Sequence, residues 1–280
     1  MVKVAVVTGA TSGIGLANVE LLLKKNINVI ALGRSSEKNL RLAEKMNGIS
    51  ESAKLDVVLG DLSDIKKTRQ AIQNIISVIN EKYHGKIDIL MNIAGIVSSG
   101  LHLNDDGNEI TFHTNHLSVF MLSQAMVPYL EKSDNPRVLV VSSLSHYRAR
   151  INFNNIQNIK MYNILKAYQR SKLYNVFFVK EFYRKYPQIP IYAIDPGLVK
   201  TEIGLKNTSK LAAYIWKLRV SKGTDAYYPA QFMVKIATKD DYKAQAGHYF
   251  KEGKLKKSAP LTYREDIAKR LWDYSESLLK

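Results

Sequence analysis

Cysteine is absent from this 280-residue chain. Its absence removes any disulfide framework or thiolate metal site, and nothing points to a secretory compartment. Long apolar runs are missing too. The opening Val2-Lys3-Val4-Ala5-Val6-Val7 is too short for a signal peptide or a membrane span, and no other run reaches spanning length. A reducing cytoplasm is therefore the expected compartment, and no metal site is expected. Acid is scarce, with 25 Asp and Glu against 41 Lys and Arg, a formal charge of +16. Such an excess suits nucleic acid, anionic lipid or a polyphosphate cofactor, and charge alone does not choose among them. The 46% of hydrophobic residues suffices for one large core, so a single domain over residues 1–280 is expected.

What is present is an alternation of apolar β-branched runs with amphipathic segments. Val2 to Thr8 reads as a strand, and Thr8-Gly9-Ala10-Thr11-Ser12-Gly13-Ile14-Gly15 leads into a periodic segment, Leu16 to Leu23. A strand, a glycine turn and a helix start in this order form a place where backbone N–H groups approach a pyrophosphate. A second strand, Asn28 to Leu32, ends at Gly33-Arg34-Ser35 before a helix from Ser36 to Met46. An acidic residue at that strand end would hold a ribose 2′-hydroxyl, whereas Arg34 is suited to a 2′-phosphate. NADP is thus favoured over NAD.

A third strand, Lys54 to Leu59, delivers Asp61 and Leu62 to the adenine end, and Ser63 is the expected cap of a helix running to Lys82. Ile87 to Met91 then gives way to Asn92-Ile93-Ala94-Gly95, small residues where a ligand would lie. A helix over Asn108 to Leu130 carries Asn115 in its interior, where a mediocre helix former has a polar errand. Arg137 to Val141 runs into Ser142 and Ser143, and Ile189 to Ile194 is closed by Asp195-Pro196-Gly197-Leu198-Val199-Lys200-Thr201.

Between those strands Tyr168 and Lys172 stand four residues apart, a spacing that puts a phenol and an ammonium on one helix face. Tyr162 and Lys166 share the spacing. The alternation as a whole predicts an α/β fold, a Rossmann-type doubly wound parallel sheet of about seven strands with helices on both faces. From Leu205 to Lys222 the chain carries Lys206, Lys210, Lys217, Arg219 and Lys222 with no acid, a basic amphipathic segment read as a substrate lid over about 201–222 or a contact with anionic membrane. A helix over Thr224 to Thr238, a strand at Gly247 to Phe250 and a closing helix over Tyr263 to Leu279 complete the pattern.

These motifs resemble the short-chain dehydrogenases/reductases, and within them the retinol-dehydrogenase-like group. Thr8, Gly9, Gly13, Ile14 and Gly15 fit the family's glycine turn, Asp61 and Leu62 its adenine contact, and Asn92, Ala94 and Gly95 its Asn-Asn-Ala-Gly, with Ile93 in place of the second Asn. Ser143 fits the catalytic serine, Tyr168 and Lys172 fit Tyr-x-x-x-Lys, and Pro196, Gly197 and Thr201 fit the nicotinamide loop. The resemblance favours Tyr168 over Tyr162.

It implies a carbonyl–alcohol oxidoreductase in which Tyr168 exchanges the proton. Ser143 steadies the reacting oxygen, Lys172 lowers the phenol's pKa and holds the nicotinamide ribose, and Asn115 holds a water linking Lys172 to solvent. The cofactor would be NADP(H), NAD being the lesser expectation. It would be bound mainly by residues 1–100 through Gly9, Thr11, Ser12, Gly13, Ile14, Gly15, Arg34, Asp61, Leu62, Asn92, Ala94 and Gly95. The catalytic half, 101–280, would add Tyr168, Lys172, Pro196, Gly197, Val199 and Thr201.

Ser143, His146, Tyr147 and Leu198 are the expected substrate contacts, with Ile96, Val97, Phe153 and the segment from Leu205 to Val220 beside them. This mostly apolar set predicts a small lipophilic aldehyde, ketone or alcohol, although a loop histidine such as His146 more often makes a structural hydrogen bond. A homodimer through the Tyr–Lys helix is compatible with the aromatic face of Tyr174, Phe177, Phe178 and Phe182, and so is core packing. Two other classes stand beside the enzyme: an NADPH-binding regulator without turnover, and a nucleic-acid binder exploiting the charge. The latter has no zinc, helix-turn-helix or RNP-like pattern to support it.

Overall fold

The structure is a computed structural model and describes residues 2–199 and 223–280. The lid expected at 201–222, with Thr201 and the basic segment from Leu205, lies outside the described residues.

Strand β1 (Val4–Thr8) is flanked by β2 (Asn28–Gly33) and β4 (Ile89–Asn92). The sheet runs β3 (Leu55–Leu59), β2, β1, β4, β5 (Arg137–Val141), β6 (Ile191–Asp195), β7 (Tyr249–Lys251), β8 (Lys254–Lys256). The first seven strands in this order are parallel, as the sequence pattern predicts, and β8 adds an antiparallel edge. Alternation within β1 sorts its side chains between two apolar layers: Val4 and Val6 face one, Ala5 and Val7 the other. The first layer is closed by α3 (Ile65–Lys82), α5 (Ser118–Leu130), α6 (Ile164–Lys185) and α8 (Glu265–Ser277). The second is closed by α1 (Gly13–Leu23), α2 (Ser36–Met46) and α7 (Tyr227–Thr238). Burial on both faces explains why the strands read as unbroken apolar runs.

Two local details differ from the sequence expectations, and a third concerns a helix face that spacing left open. The cap of α3 is Asp64, whose carboxylate accepts the Lys67 N–H at 2.7 Å, while Ser63 turns back to donate to Asp61 Oδ2 at 2.8 Å. The helix expected over Asn108 to Leu130 starts as a single turn, α4 (Ile110–Phe112), widens into a π-turn at His113–Leu117, and resumes as α5. Finally, the aromatic face of α6 is core. Phe177, Phe178, Phe182 and Tyr174 are buried, and Trp272 of α8 stacks on Phe178 with ring centroids 5.7 Å apart.

The strand order reverses direction at β1, between β2 and β4, so the connections after these strands diverge and leave a crevice at their carboxyl ends. A cavity of about 1370 Å³ occupies it.

Candidate active site

The amino-terminal wall of the cavity is the turn between β1 and α1. Gly9 has φ +66°, and a Cβ there would come within 3.0 Å of Ala94 Cα; a Cβ on Gly15 would lie 2.1 Å from the Gly9 carbonyl oxygen. Only glycine packs this turn so closely. Ser12, the residue before α1, makes no side-chain capping bond, so the first N–H groups of α1 face the cavity with their dipole. These features fit the pyrophosphate of a dinucleotide. Thr8 sits beneath them, its hydroxyl accepting the N–H groups of Ile93 and Ala94, both at 3.0 Å. It fixes the β4 turn against the glycine turn, a buried positioning role the sequence reading did not assign to it.

At the end of the cavity toward β2 and β3, Arg34, Asp61 and Leu62 line it, and α2 adds Lys38, Arg41 and Lys45. Arg41 pairs with Glu37 at 2.6 Å. Among the described residues no carboxylate reaches salt-bridge distance of Arg34, Lys38 or Lys45. The spacing of Lys38, Arg41 and Lys45 along α2 was readable in the sequence, but only the fold shows that they border the crevice beside Arg34.

Ala94, Gly95, Ile96 and Val97 form the floor. Asn92 does not join them, because its amide turns into the core and donates to Ser123 Oγ at 2.9 Å. Asn115 lies in the π-turn, an irregularity that re-aims backbone and side chains at functional sites. Its amide clasps Ile96 on both sides, accepting from the N–H at 2.7 Å and donating to the carbonyl at 2.9 Å, and it reaches Ser171 Oγ at 3.1 Å. These contacts tie the β4 loop to α6.

Ser143, Tyr168 and Lys172 meet opposite this floor. Ser142 Oγ donates to the Lys172 carbonyl at 2.8 Å and so pins α6 to the end of β5. The Lys172 ammonium donates to Val141 O at 3.2 Å and lies 5.7 Å from the centroid of the Tyr168 ring. Burial pushes Lys172 down to about 8 and Tyr168 up to about 12, the Ser143 hydroxyl pulling Tyr168 the other way. Desolvation and the Asp195 charge thus outweigh the Ser143 hydrogen bond, and at neutral pH the phenol keeps its proton. The Ser145 hydroxyl is buried without a partner in the same wall, and its place two residues after Ser143 was the available signal.

Burial of Lys172 has a thermodynamic consequence. With a folded pKa below the unfolded value of 10.5, the unfolded chain binds more protons between about pH 8 and 10.5, so stability rises with pH across that window. Below about pH 8 the penalty is constant. Lys172→Met removes it and leaves Val141 O bonded to Asn175 Nδ2 at 3.0 Å. We expect urea titrations at pH 7 to show the variant more stable by up to about 3 kcal/mol, with turnover lost. A variant less stable than the parent would refute the burial penalty.

Pro196, Gly197, Leu198 and Val199 close the cavity from β6. Gly197 has φ +78°, and its N–H donates to the buried Asp195 carboxylate at 3.0 Å, which also accepts the Tyr249 hydroxyl at 2.7 Å. Three expected substrate contacts stand elsewhere. Both His146 ring nitrogens are engaged, Nδ1 with Ser143 O at 2.6 Å and Nε2 with the Ala259 N–H at 3.0 Å, so this histidine braces the wall from behind. Tyr147 donates to the Lys257 carbonyl, and Phe153 packs on the core beneath Arg270.

A family model described as short chain dehydrogenase matches residues 3–212. The chain belongs to the short-chain dehydrogenases. Within this family it is retinol-dehydrogenase-like, being 31% identical to human retinol dehydrogenase 11 over 99% of this chain and 86% of that one. Among solved structures it superposes on an uncharacterized protein from Mycobacterium paratuberculosis with TM-score 0.75 at 26% identity, covering 99% of this chain and 93% of that one. A short-chain dehydrogenase from Shigella flexneri, solved with NADP, shares the fold at TM-score 0.69 and 23% identity, over 90% of this chain and 97% of that one. As a short-chain dehydrogenase the protein is an oxidoreductase acting on CH–OH and C=O groups with a nicotinamide dinucleotide.

Proposed function

We propose that this short-chain dehydrogenase uses NADPH to reduce a lipophilic aldehyde or ketone, with Tyr168 as the proton donor. The observation that carries the reading is the convergence of Tyr168, Ser143 and Lys172 in one cavity whose far end holds Arg34, Lys38 and Lys45. In this reading residues 1–100 hold the dinucleotide and 101–280 carry the chemistry.

Bound NADPH supplies the hydride. The Ser143 hydroxyl donates to the substrate oxygen and stabilises the charge that develops there. Tyr168 then passes its proton to that oxygen, and Lys172, charged below about pH 8, stabilises the phenolate left behind. Reduction therefore loses rate as pH rises past 8, whereas alcohol oxidation, which needs the phenolate, gains rate into the alkaline range. The apolar lining by Ile96, Val97, Leu144, Leu165 and Leu198 supports a lipophilic substrate.

The test is nicotinamide absorbance with a panel of carbonyls. Small hydrophilic aldehydes turning over better than long-chain or cyclic ones would refute the substrate class. Cofactor choice has its own test. A charge-assisted contact of roughly 1.5–3 kcal/mol means Arg34→Ala should raise KM for NADPH about 10- to 100-fold and leave KM for NADH nearly unchanged. Equal losses with both nucleotides would remove Arg34 from 2′-phosphate recognition.

A further inference from the structure

The hydride chemistry leaves one buried charge in the cavity wall without a task. Asp195, the last residue of β6, lines the cavity and is 2% exposed. Among the described residues no cation reaches salt-bridge distance of its carboxylate. Two uncharged donors hold it instead: Oδ1 accepts the Gly197 N–H at 3.0 Å and Oδ2 accepts the Tyr249 hydroxyl at 2.7 Å. Burying a carboxylate without a paired cation is costly, and a neutral side chain would fill the same place without that cost.

Each of the two bonds leads to a different side of the reacting site. The first fixes the turn at Gly197, from which Pro196, Leu198 and Val199 close the cavity. The second leads to Ser143 through two rings. Tyr249, itself 2% exposed, packs its ring on that of His146 with centroids 4.7 Å apart. Because His146 Nε2 accepts the Ala259 N–H at 3.0 Å, Nδ1 carries the ring proton and donates it to Ser143 O at 2.6 Å. Burial holds His146 below its usual range, so the ring is neutral near pH 7 and keeps this arrangement. One carboxylate thus sets the backbone on both sides of the place where Ser143 and Tyr168 would meet a substrate oxygen.

The charge acts as well as the shape. The titratable groups facing Asp195 are Lys172 and Tyr168 of α6, His146 and Tyr147 of the turn after β5, and Tyr249, Lys251 and Glu252 of β7 and its turn. The negative charge favours the Lys172 ammonium and disfavours the Tyr168 phenolate, and on Lys172 it opposes the effect of burial. We propose that Asp195 is a positioning residue for the reaction: it anchors the loop after β6 through Gly197 and the Ser143 backbone through Tyr249 and His146, and its charge balances that of Lys172. The inference rests on the carbonyl-reduction reading above for its consequence, and one of its readouts is independent of turnover.

Two variants separate charge from shape. Asp195→Asn keeps an acceptor for Gly197 and a polar group for Tyr249 but removes the charge, whereas Tyr249→Phe keeps the charge and the ring against His146 but removes the bond. The readouts are kcat for NADPH-dependent reduction against pH, and the NMR titration of the Lys172 side chain in the free protein, its signal identified by its absence from Lys172→Met. Asp195→Asn should move the Lys172 midpoint and the alkaline limb of kcat together to lower pH, by about one pH unit. Alcohol oxidation, which needs the phenolate, should gain rate at neutral pH in the same variant. Tyr249→Phe should lower kcat about tenfold, with KM for NADPH and both midpoints in place. The control is Tyr192→Phe, on the same strand but facing the opposite apolar layer with its hydroxyl on Tyr242 O at 3.0 Å, which should cost stability alone. Unmoved midpoints in Asp195→Asn would overturn the charge balance, and Asp195→Ser is the second neutral variant if Asp195→Asn does not fold. A kcat in Tyr249→Phe equal to that of Tyr192→Phe would overturn the anchoring. A Lys172 midpoint that falls in Asp195→Asn while the parent reduces no carbonyl would leave the charge balance standing and overturn the reduction reading.

Discussion

Tyr168→Phe should lower kcat for carbonyl reduction by about 10²–10⁴-fold, the range over which a positioned acid contributes to a proton-coupled step. The ring stays, so its contacts in the wall stay, and only the hydroxyl is lost. NADPH affinity should therefore move little. The glycine turn and the cations of α2 that would hold the nucleotide are remote from the phenol along the cavity. Fluorescence titration of NADPH against the variant separates two outcomes. Near-parental affinity with lost turnover fits a proton donor. Retained turnover would mean that the proton comes from elsewhere, with the buried Ser145 hydroxyl the next group to replace. Tyr162→Phe is the internal control, because that tyrosine donates to Glu109 and its loss should affect stability more than rate.

The control also shows how far sequence spacing carries the reading. Tyr162–Lys166 and Tyr168–Lys172 look alike as four-residue steps, and only the latter pair stands between the end of β5 and the β6 loop. The parallel strands were legible because each is buried on both faces and reads as an apolar run. β8 was not, since Lys254-Leu255-Lys256 is exposed throughout and owes its place to a turn in which Glu252 and Gly253 both have positive φ. The π-turn was hidden because one inserted residue leaves a helical pattern nearly intact, and the buried polar run His113-Thr114-Asn115-His116 is its only trace. Asn92 was placed by its fit to Asn-Asn-Ala-Gly, and His146 by its nearness to Ser143, with a structural hydrogen bond the favoured role. Each in fact turns its polar atoms to a partner far away in sequence, Ser123 and Ala259, which no local pattern announces.

The same limit applied to the aromatic face of α6, which spacing left open between a partner subunit and the chain's own core. Its partner within the chain is α8. Trp272 is 4% exposed, stacks on Phe178 and meets Phe120 edge-on with centroids 4.8 Å apart. Trp272→Ala should therefore cost about 3–5 kcal/mol, the usual range for deleting a large buried aromatic, and lower Tm on the order of 10 °C. Function follows through geometry, since α8 presses α6, with Tyr168 and Lys172, against β5 and β6. At temperatures where the variant remains folded, KM for NADPH should hold while kcat falls modestly, because the nucleotide wall belongs to the other half of the sheet. Sedimentation gives the second readout. Loosening α8 bares Phe120, Phe178 and Phe182, an apolar stripe that a second copy can cover, so self-association should rise with concentration. A loss below about 1 kcal/mol, with no change in sedimentation, would show that α8 is dispensable and that the α6 face is held by the sheet alone.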